Sequence, residues 1–139
     1  MQTVKTDELR YADSKTIASE AVKILLEKKG LDVRMFDVRE KSSVTDFYVN
    51  ATGRSSTQVG ALADDVVFLL GNRGREALRV EGRLGNAWLL VDYGDVIVNV
   101  FDKPSRDFYD LDKHLPVGSE VDISDLLREV DEKFDLTRK

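Results

Sequence analysis

Residues 88–101 read WLLVDYGDVIVNVF, two apolar stretches on either side of Gly94-Asp95. A Gly-first pair suits the type II′ turn, whose twist matches that of paired strands, so the stretch predicts a β-hairpin. With Gly94-Asp95 as the loop, the register follows. Tyr93 faces Val96, Asp92 faces Ile97, Val91 faces Val98, Leu90 faces Asn99, Leu89 faces Val100 and Trp88 faces Phe101. Side chains alternate along a strand, which sorts these pairs onto two faces. Leu89, Val91, Tyr93, Val96, Val98 and Val100 form an almost wholly apolar face, the natural core side. Trp88, Leu90, Asp92, Ile97, Asn99 and Phe101 form the other, with large apolar groups around two polar ones. A buried polar group must find a hydrogen bond, so this second face reads either as second-layer core beneath a helix or as a surface that meets a partner.

Outward from the hairpin, the pattern predicts helices and strands on both sides. Asp13 or Ser14 caps a first helix, with Ile17, Ala21, Ile24 and Leu25 on one stripe, that ends before Gly30. Residues 31–38 and 45–52 read as strands. Ser55 followed by Gln58 is a capping-box pattern opening a second helix. Its Val59, Leu62, Ala63, Val66, Val67 and Leu70 recur at helical spacing, and Gly71 or Gly74 ends it. Residues 78–81 form a short strand and 82–86 a turn into the hairpin. Pro104 opens a short helical segment, since proline fits the first helical position. After Pro116 and Gly118, Asp122 or Ser124 caps a last amphipathic helix carrying Leu126, Leu127, Val130 and Phe134. This order predicts one α+β domain, a mixed sheet of about five strands flanked by helices. The expected organisation is a flexible N-terminus over 1–12, the domain over 13–115 and an extension with an amphipathic helix over 116–139.

A chain of 139 residues, 42% hydrophobic and 34% charged, is long enough for one buried core. Its net charge of −5 argues against a grip on the phosphate backbone, so little direct nucleic-acid binding is expected. A basic protein remains a fitting partner. The absence of cysteine removes disulfides, thiolate metal sites and a Cys nucleophile. No apolar run approaches the roughly 20 residues of a membrane span. The polar opening MQTVKTDELR lacks the apolar core of a secretory signal, so the expectation is a cytoplasmic protein without membrane contact.

No catalytic constellation emerges. The sole histidine, His114, has no neighbouring ligand and reads as a half-exposed residue closing a short helix. Gly53-Arg54-Ser55 is only part of a nucleophile elbow, and the glycines at 71–74 and 82–85 lack the Lys and Ser/Thr of a phosphate loop. Asp92 and Asp95 flank a turn and point to opposite faces in the hairpin register, while Asp64 and Asp65 diverge around a helix. No metal or cofactor is therefore expected. The mixed hairpin face is the stronger feature. Trp88 and Phe101 make a cross-strand aromatic pair, and Arg106, Phe108 and Tyr109 follow, residue types enriched at binding hot spots.

Three ordered blocks carry a resemblance: KSSVTDFYVNATGRSSTQVGALAD, VEGRLGNAWLLVDYGDVIVNVFD and SRDFYDLDKHL. Together they resemble the Iojap family, the ribosomal silencing factors, over about residues 14–114. The matching positions are Asp37-Val38, Ser43, Thr45-Asp46, Gly53, Ser55, Val59, Glu81-Gly82, Trp88, Asp92, Gly94-Asp95-Val96, Val98, Arg106, Tyr109 and Leu111. The chain departs from the family in having Asn99 for a usual His, Asp112 for a usual Glu, and His114-Leu115 where Leu-Trp often stands. Asn99 keeps a hydrogen-bonding group but cannot ionise, and the missing Trp removes an aromatic contact.

The resemblance implies a scaffold related to nucleotidyltransferases and a translational repressor rather than an enzyme. Such a protein binds the large ribosomal subunit through the basic protein numbered fourteen at the intersubunit face. It blocks joining of the small subunit in starvation or stationary phase, and organelle relatives are linked to large-subunit assembly. The family's hairpin Trp belongs to the partner surface, and Trp88 matches it. The expected contact residues are Trp88, Leu90, Ile97 and Phe101 for apolar burial, with Asp92, Asn99, Arg106 and Tyr109 for directional polar contacts. Two rivals stand beside this. One is a magnesium-dependent nucleotidyltransferase using Asp92, Asp95 or Glu81, which would lack the usual D-x-D pair. The other is a homodimer formed through the hairpin face or an edge strand.

Overall fold

The computed structural model describes residues 5–82 and 85–138. Along the chain lie α1 (Ser14–Glu27), β1 (Leu31–Asp37), β2 (Phe47–Gly53), α2 (Ser56–Asn72), β3 (Arg79–Glu81), β4 (Trp88–Asp92) and β5 (Val96–Asp102). Then follow α3 (Lys103–Tyr109), α4 (Leu111–His114), β6 (Glu120–Val121) and α5 (Ser124–Arg138). The six strands form one mixed sheet in the order β3-β4-β5-β2-β1-β6, in which only β2 and β5 run parallel. The fold is α+β, as the element order predicts.

The hairpin forms in the expected register, from Trp88 opposite Phe101 to Asp92 opposite Ile97. Gly94 alone of the two loop residues has a positive φ, +88°, as a II′ turn requires. The Asp92 carboxylate braces the turn by accepting from the Gly94 N–H at 2.7 Å. β5 lies between β4 and β2 and is buried along both faces, which explains why it reads as a nearly continuous apolar run.

α1 and α2 pack on the apolar face. Ile17, Ala21 and Leu25 from α1, and Val59, Leu62 and Val66 from α2, join Leu89, Val91, Val98 and Val100 in one buried cluster. Asp13 caps α1 by accepting from the Thr16 N–H at 2.9 Å, and Ser55 caps α2 by accepting from the Gln58 N–H at 3.1 Å. Between β2 and α2 the backbone turns so tightly that a Cβ at Gly53 would lie 2.8 Å from the Val59 nitrogen. Glycine is required there by space.

Three expectations need adjustment. The sheet has a sixth strand, β6, which is two residues long and pairs Val121 with Met35 beyond the reach of any periodicity. The segment after Pro116 thus adds to the sheet, and α5 packs on α1 through buried Val130 and ion pairs Lys23–Glu129 at 3.0 Å and Lys133–Glu27 at 3.1 Å. The described part of the expected flexible N-terminus, 5–12, is docked. Thr6 and Leu9 donate their N–H groups to the Asn72 and Arg73 carbonyls at 2.7 and 2.8 Å, and Leu9 is buried. The turn expected over 82–86 includes Arg83 and Leu84, which lie outside the described residues.

Candidate partner-binding face

The strand registers align three rows of side chains on the face opposite α1 and α2. The first runs Arg79, Asp92, Ile97, Tyr48, Phe36, Glu120; the second Glu81, Leu90, Asn99, Asn50, Arg34; the third Trp88, Phe101, Thr52. α3 covers part of the third row. It starts straight from β5, with Asp102 accepting from the Ser105 N–H at 2.8 Å and Pro104 in its first turn. Asp110, in the left-handed conformation at φ 50°, then redirects the chain into α4.

Arg106 on α3 is only 6% exposed and clamps this cover to the sheet. Its Nε and Nη2 donate to Asp112 Oδ2 at 3.1 and 2.8 Å. Nη1 donates to Thr52 Oγ1 at 2.9 Å and Nη2 also to the Asp32 carbonyl at 3.1 Å. A bulge in β1 makes the last contact available: Leu31 pairs with Thr52 but Arg34 with Asn50, and Asp32 in between has φ +47°. Asp112, at the start of α4, also accepts from Asn50 Nδ2 at 2.6 Å. Asn50 Oδ1 accepts from Asn99 Nδ2 at 3.0 Å, and Asn99 Oδ1 accepts from the Trp88 indole N–H at 2.9 Å. The buried side chains Asn50, Asn99, Thr52 and Arg106 are thereby satisfied within one network beneath the surface.

An aromatic ladder rises beside this network. Phe101 is wholly buried and Trp88 stacks on it at 4.9 Å between ring centroids. Tyr109 tilts against Trp88 at 4.8 Å, and Phe108 meets Tyr109 edge-on at 5.1 Å. Exposure climbs along the ladder to 48% at Tyr109 and 81% at Phe108. A shallow depression beside Trp88 is lined by Glu81, Gly82 and Leu90.

The eight expected contact residues thus share one face but not one depth. Trp88, Leu90 and Asp92 are half-buried and Tyr109 exposed, whereas Ile97, Asn99, Phe101 and Arg106 are buried. The last three lie beneath the cover or within the network and hold up the surface. Half-buried Tyr48 belongs to the open part of the face. Burial, and then the neighbouring Asp92 carboxylate, push its hydroxyl pKa up. Asn50, Thr52 and the Asp32 carbonyl are the members that the sequence did not single out, and Asp112 stood out only as a departure from the family's usual Glu. The signal for Asn50 and Thr52 was polar residues two apart inside an otherwise apolar strand.

The acids of an enzymatic site are each matched to a base. Asp92 pairs with Arg79 at 3.1 Å, Glu81 lies 3.5 Å from the same Arg79, and Asp95 pairs with Arg75 at 2.6 Å. Among the described residues no group of three or more His, Cys, Asp or Glu is placed to hold a metal ion. His114 is exposed. No helix of the described residues is long and apolar enough to cross a membrane.

Comparison with known proteins gives these features a context. The family model described as "Ribosomal silencing factor during starvation" matches residues 11–135. The ribosomal silencing factor of Haemophilus influenzae is 41% identical over 61% of this chain and 83% of its own length. A more distant mouse protein, named for mitochondrial assembly of the ribosomal large subunit, is 25% identical over 66% of this chain and 42% of its own. A crystal structure from Chromobacterium violaceum superposes with a TM-score of 0.71 at 32% identity, covering 77% of this chain and 95% of that one. This chain belongs to the ribosomal silencing factor family.

Proposed function

We propose that this chain is a non-catalytic translational repressor that binds the large ribosomal subunit through the networked face and so keeps the small subunit from joining. The observation that carries it is the aromatic ladder. Its buried rungs are fixed by the sheet and its outer rungs, Tyr109 and Phe108, are left open to solvent on a folded helix. Exposed aromatics on a rigid base suit a hot spot, because little conformational freedom remains to be lost on binding. Trp88, Leu90, Asp92, Ile97 and Tyr109, with Phe108 at the end of the ladder, form the contact zone, and Asn99, Phe101 and Arg106 act from below it. Family membership supports the regulatory role, and the family description points to starvation. The mouse relative's name points to the large subunit. The basic protein numbered fourteen fits as the contact, since a net charge of −5 speeds encounter with a basic surface.

Occlusion needs no chemistry. Each candidate acid, Asp92, Glu81 and Asp95, is engaged by an arginine rather than grouped around a cation site. The test is subunit joining followed by light scattering, with large subunits preincubated with saturating protein before small subunits are added. Occlusion requires that the scattering rise be suppressed. An uninhibited rise from large subunits that carry the protein would refute it, and would favour a role in large-subunit assembly instead.

A further inference from the structure

The hydrogen bonds beneath Trp88 have a direction that chemistry fixes at both ends. An indole N–H can only donate and an ionised carboxylate can only accept, while a carboxamide does both from opposite sides. Between Trp88 and Asp112 stand two carboxamides, Asn99 and Asn50. Asn99 therefore has to turn its oxygen to the indole and its NH2 to Asn50. Asn50 has to turn its oxygen to Asn99 and its NH2 to Asp112. The three bonds, at 2.9, 3.0 and 2.6 Å, run in that order. Flipping one amide alone would set donor against donor or acceptor against acceptor, so the orientation of each amide fixes the next.

Asp112 is the anchor of this series. Arg106 holds its other oxygen with two bonds and is itself tied to β1 and β2 through the Asp32 carbonyl and Thr52. Asn50 and Asn99 are buried, at 0% and 1% exposure, so water cannot readily replace a lost partner. We infer that Asp112 is a positioning residue: through Asn50 and Asn99 it sets the orientation in which the Trp88 indole is presented to the large subunit. This rests on the binding face proposed above. Without the carboxylate, the buried Asn50 NH2 loses its acceptor, and the amide pair is held in its direction by the indole N–H alone. Turning the pair to relieve Asn50 sets the Asn99 NH2 against the indole N–H, so in either arrangement a donor goes unpaired and the ring is held less firmly in its seat between Phe101 and Tyr109.

Trp88 is the only tryptophan, so its indole N–H is a unique resonance in nitrogen-labelled protein. Its hydrogen-exchange rate is to be measured beside those of the Val98 and Val100 amides in wild type, Asp112→Ala, Asn50→Ala and Asp112→Glu. Pelleting with large subunits gives the affinity of the same four proteins. The expected result in both alanine variants is indole exchange about tenfold faster relative to the core amides, with affinity lower by about tenfold, the size of one lost hydrogen bond. Asp112→Glu, which keeps a charged acceptor, should move both readouts back toward wild type. Indole exchange that is unchanged, or faster only in step with Val98 and Val100, overturns the inference. If Asp112→Ala does not fold, Asn50→Ala decides by the same criterion. Wild type that fails to pellet with large subunits sinks the binding proposal, while the exchange ratio still decides whether Asp112 positions Trp88.

Discussion

The two faces of the sheet solve the same problem of burial by opposite means. Under α1 and α2, the strands contribute Leu89, Val91, Val96, Val98 and Val100, and the surface disappears against Ile17, Leu25, Leu62 and Val66. Under α3 and α4, equally buried strand positions hold Asn50, Asn99 and Thr52, each hydrogen-bonded to another member of the face, with Arg106 reaching down from α3. Apolar burial is non-directional, so the first face tolerates any close-packed arrangement and mainly supplies stability. Hydrogen bonds have direction and require specific partners, so the second face fixes where Trp88, Tyr109 and the α3 backbone stand. The larger share of stability resides on one side, and the geometry of the contact residues on the other.

Breaking the dry face should have the largest effect on folding. Leu89 is fully buried, and Leu89→Ala removes its contacts and leaves a cavity, an expected loss of about 3–4 kcal/mol in urea unfolding. Breaking the clamp of the other face comes next. Arg106→Ala leaves Asp112 Oδ2 and Thr52 Oγ1 without the guanidinium donor, and an expected loss of about 2–3 kcal/mol follows, discounted because Asp112 is 16% exposed. The two variants should separate in a second measurement. Any Leu89→Ala protein that remains folded should bind its partner as wild type does, whereas folded Arg106→Ala should bind more weakly, since its α3 is no longer held down.

A smaller change sharpens the contrast. Tyr93 lies on the dry face with its hydroxyl buried and without a hydrogen-bond partner among the described residues. Burial accordingly raises its pKa well above the ordinary tyrosine value. Tyr93→Phe removes the stranded hydroxyl and should raise stability by about 0.5–1 kcal/mol, read as a shift of the urea midpoint. Removing a polar group is expected to be favourable on this face and costly on the other. A Tyr93→Phe protein less stable than wild type would show that the hydroxyl has a partner after all.

The hairpin and its register were legible because a two-residue Gly-first loop fixes the pairing of every residue after it. Asp13 and Ser55 were legible as caps for the same local reason. β6 was not, because a two-residue strand forms only where β1 offers its edge, and no pattern within Glu120-Val121 records that. The docking of 5–12 onto the end of α2 depends likewise on contacts remote in sequence. At the site, alternation placed Trp88, Asp92, Asn99 and Phe101 on one face but carried no depth. The depth of Asn99, Phe101 and Arg106 depends on α3 and α4 folding back over the sheet, which rests on Asp32, Thr52 and Asp112, residues far apart along the chain.

The most direct test of the central claim compares one exposed phenylalanine from each side of the molecule. Phe108 ends the aromatic ladder at 81% exposure, and Phe68 stands on α2 at 58%. Neither truncation should disturb folding by more than about 0.5 kcal/mol, because both side chains are largely in water already. Wild type, Phe108→Ala and Phe68→Ala are each to be pelleted with separated large and small ribosomal subunits over a range of protein concentrations. The expected result is binding to the large subunit alone, weakened several-fold or more by Phe108→Ala and unaltered by Phe68→Ala. Loss of binding in Phe68→Ala with retention in Phe108→Ala would place the contact on the helix-covered side and contradict the account.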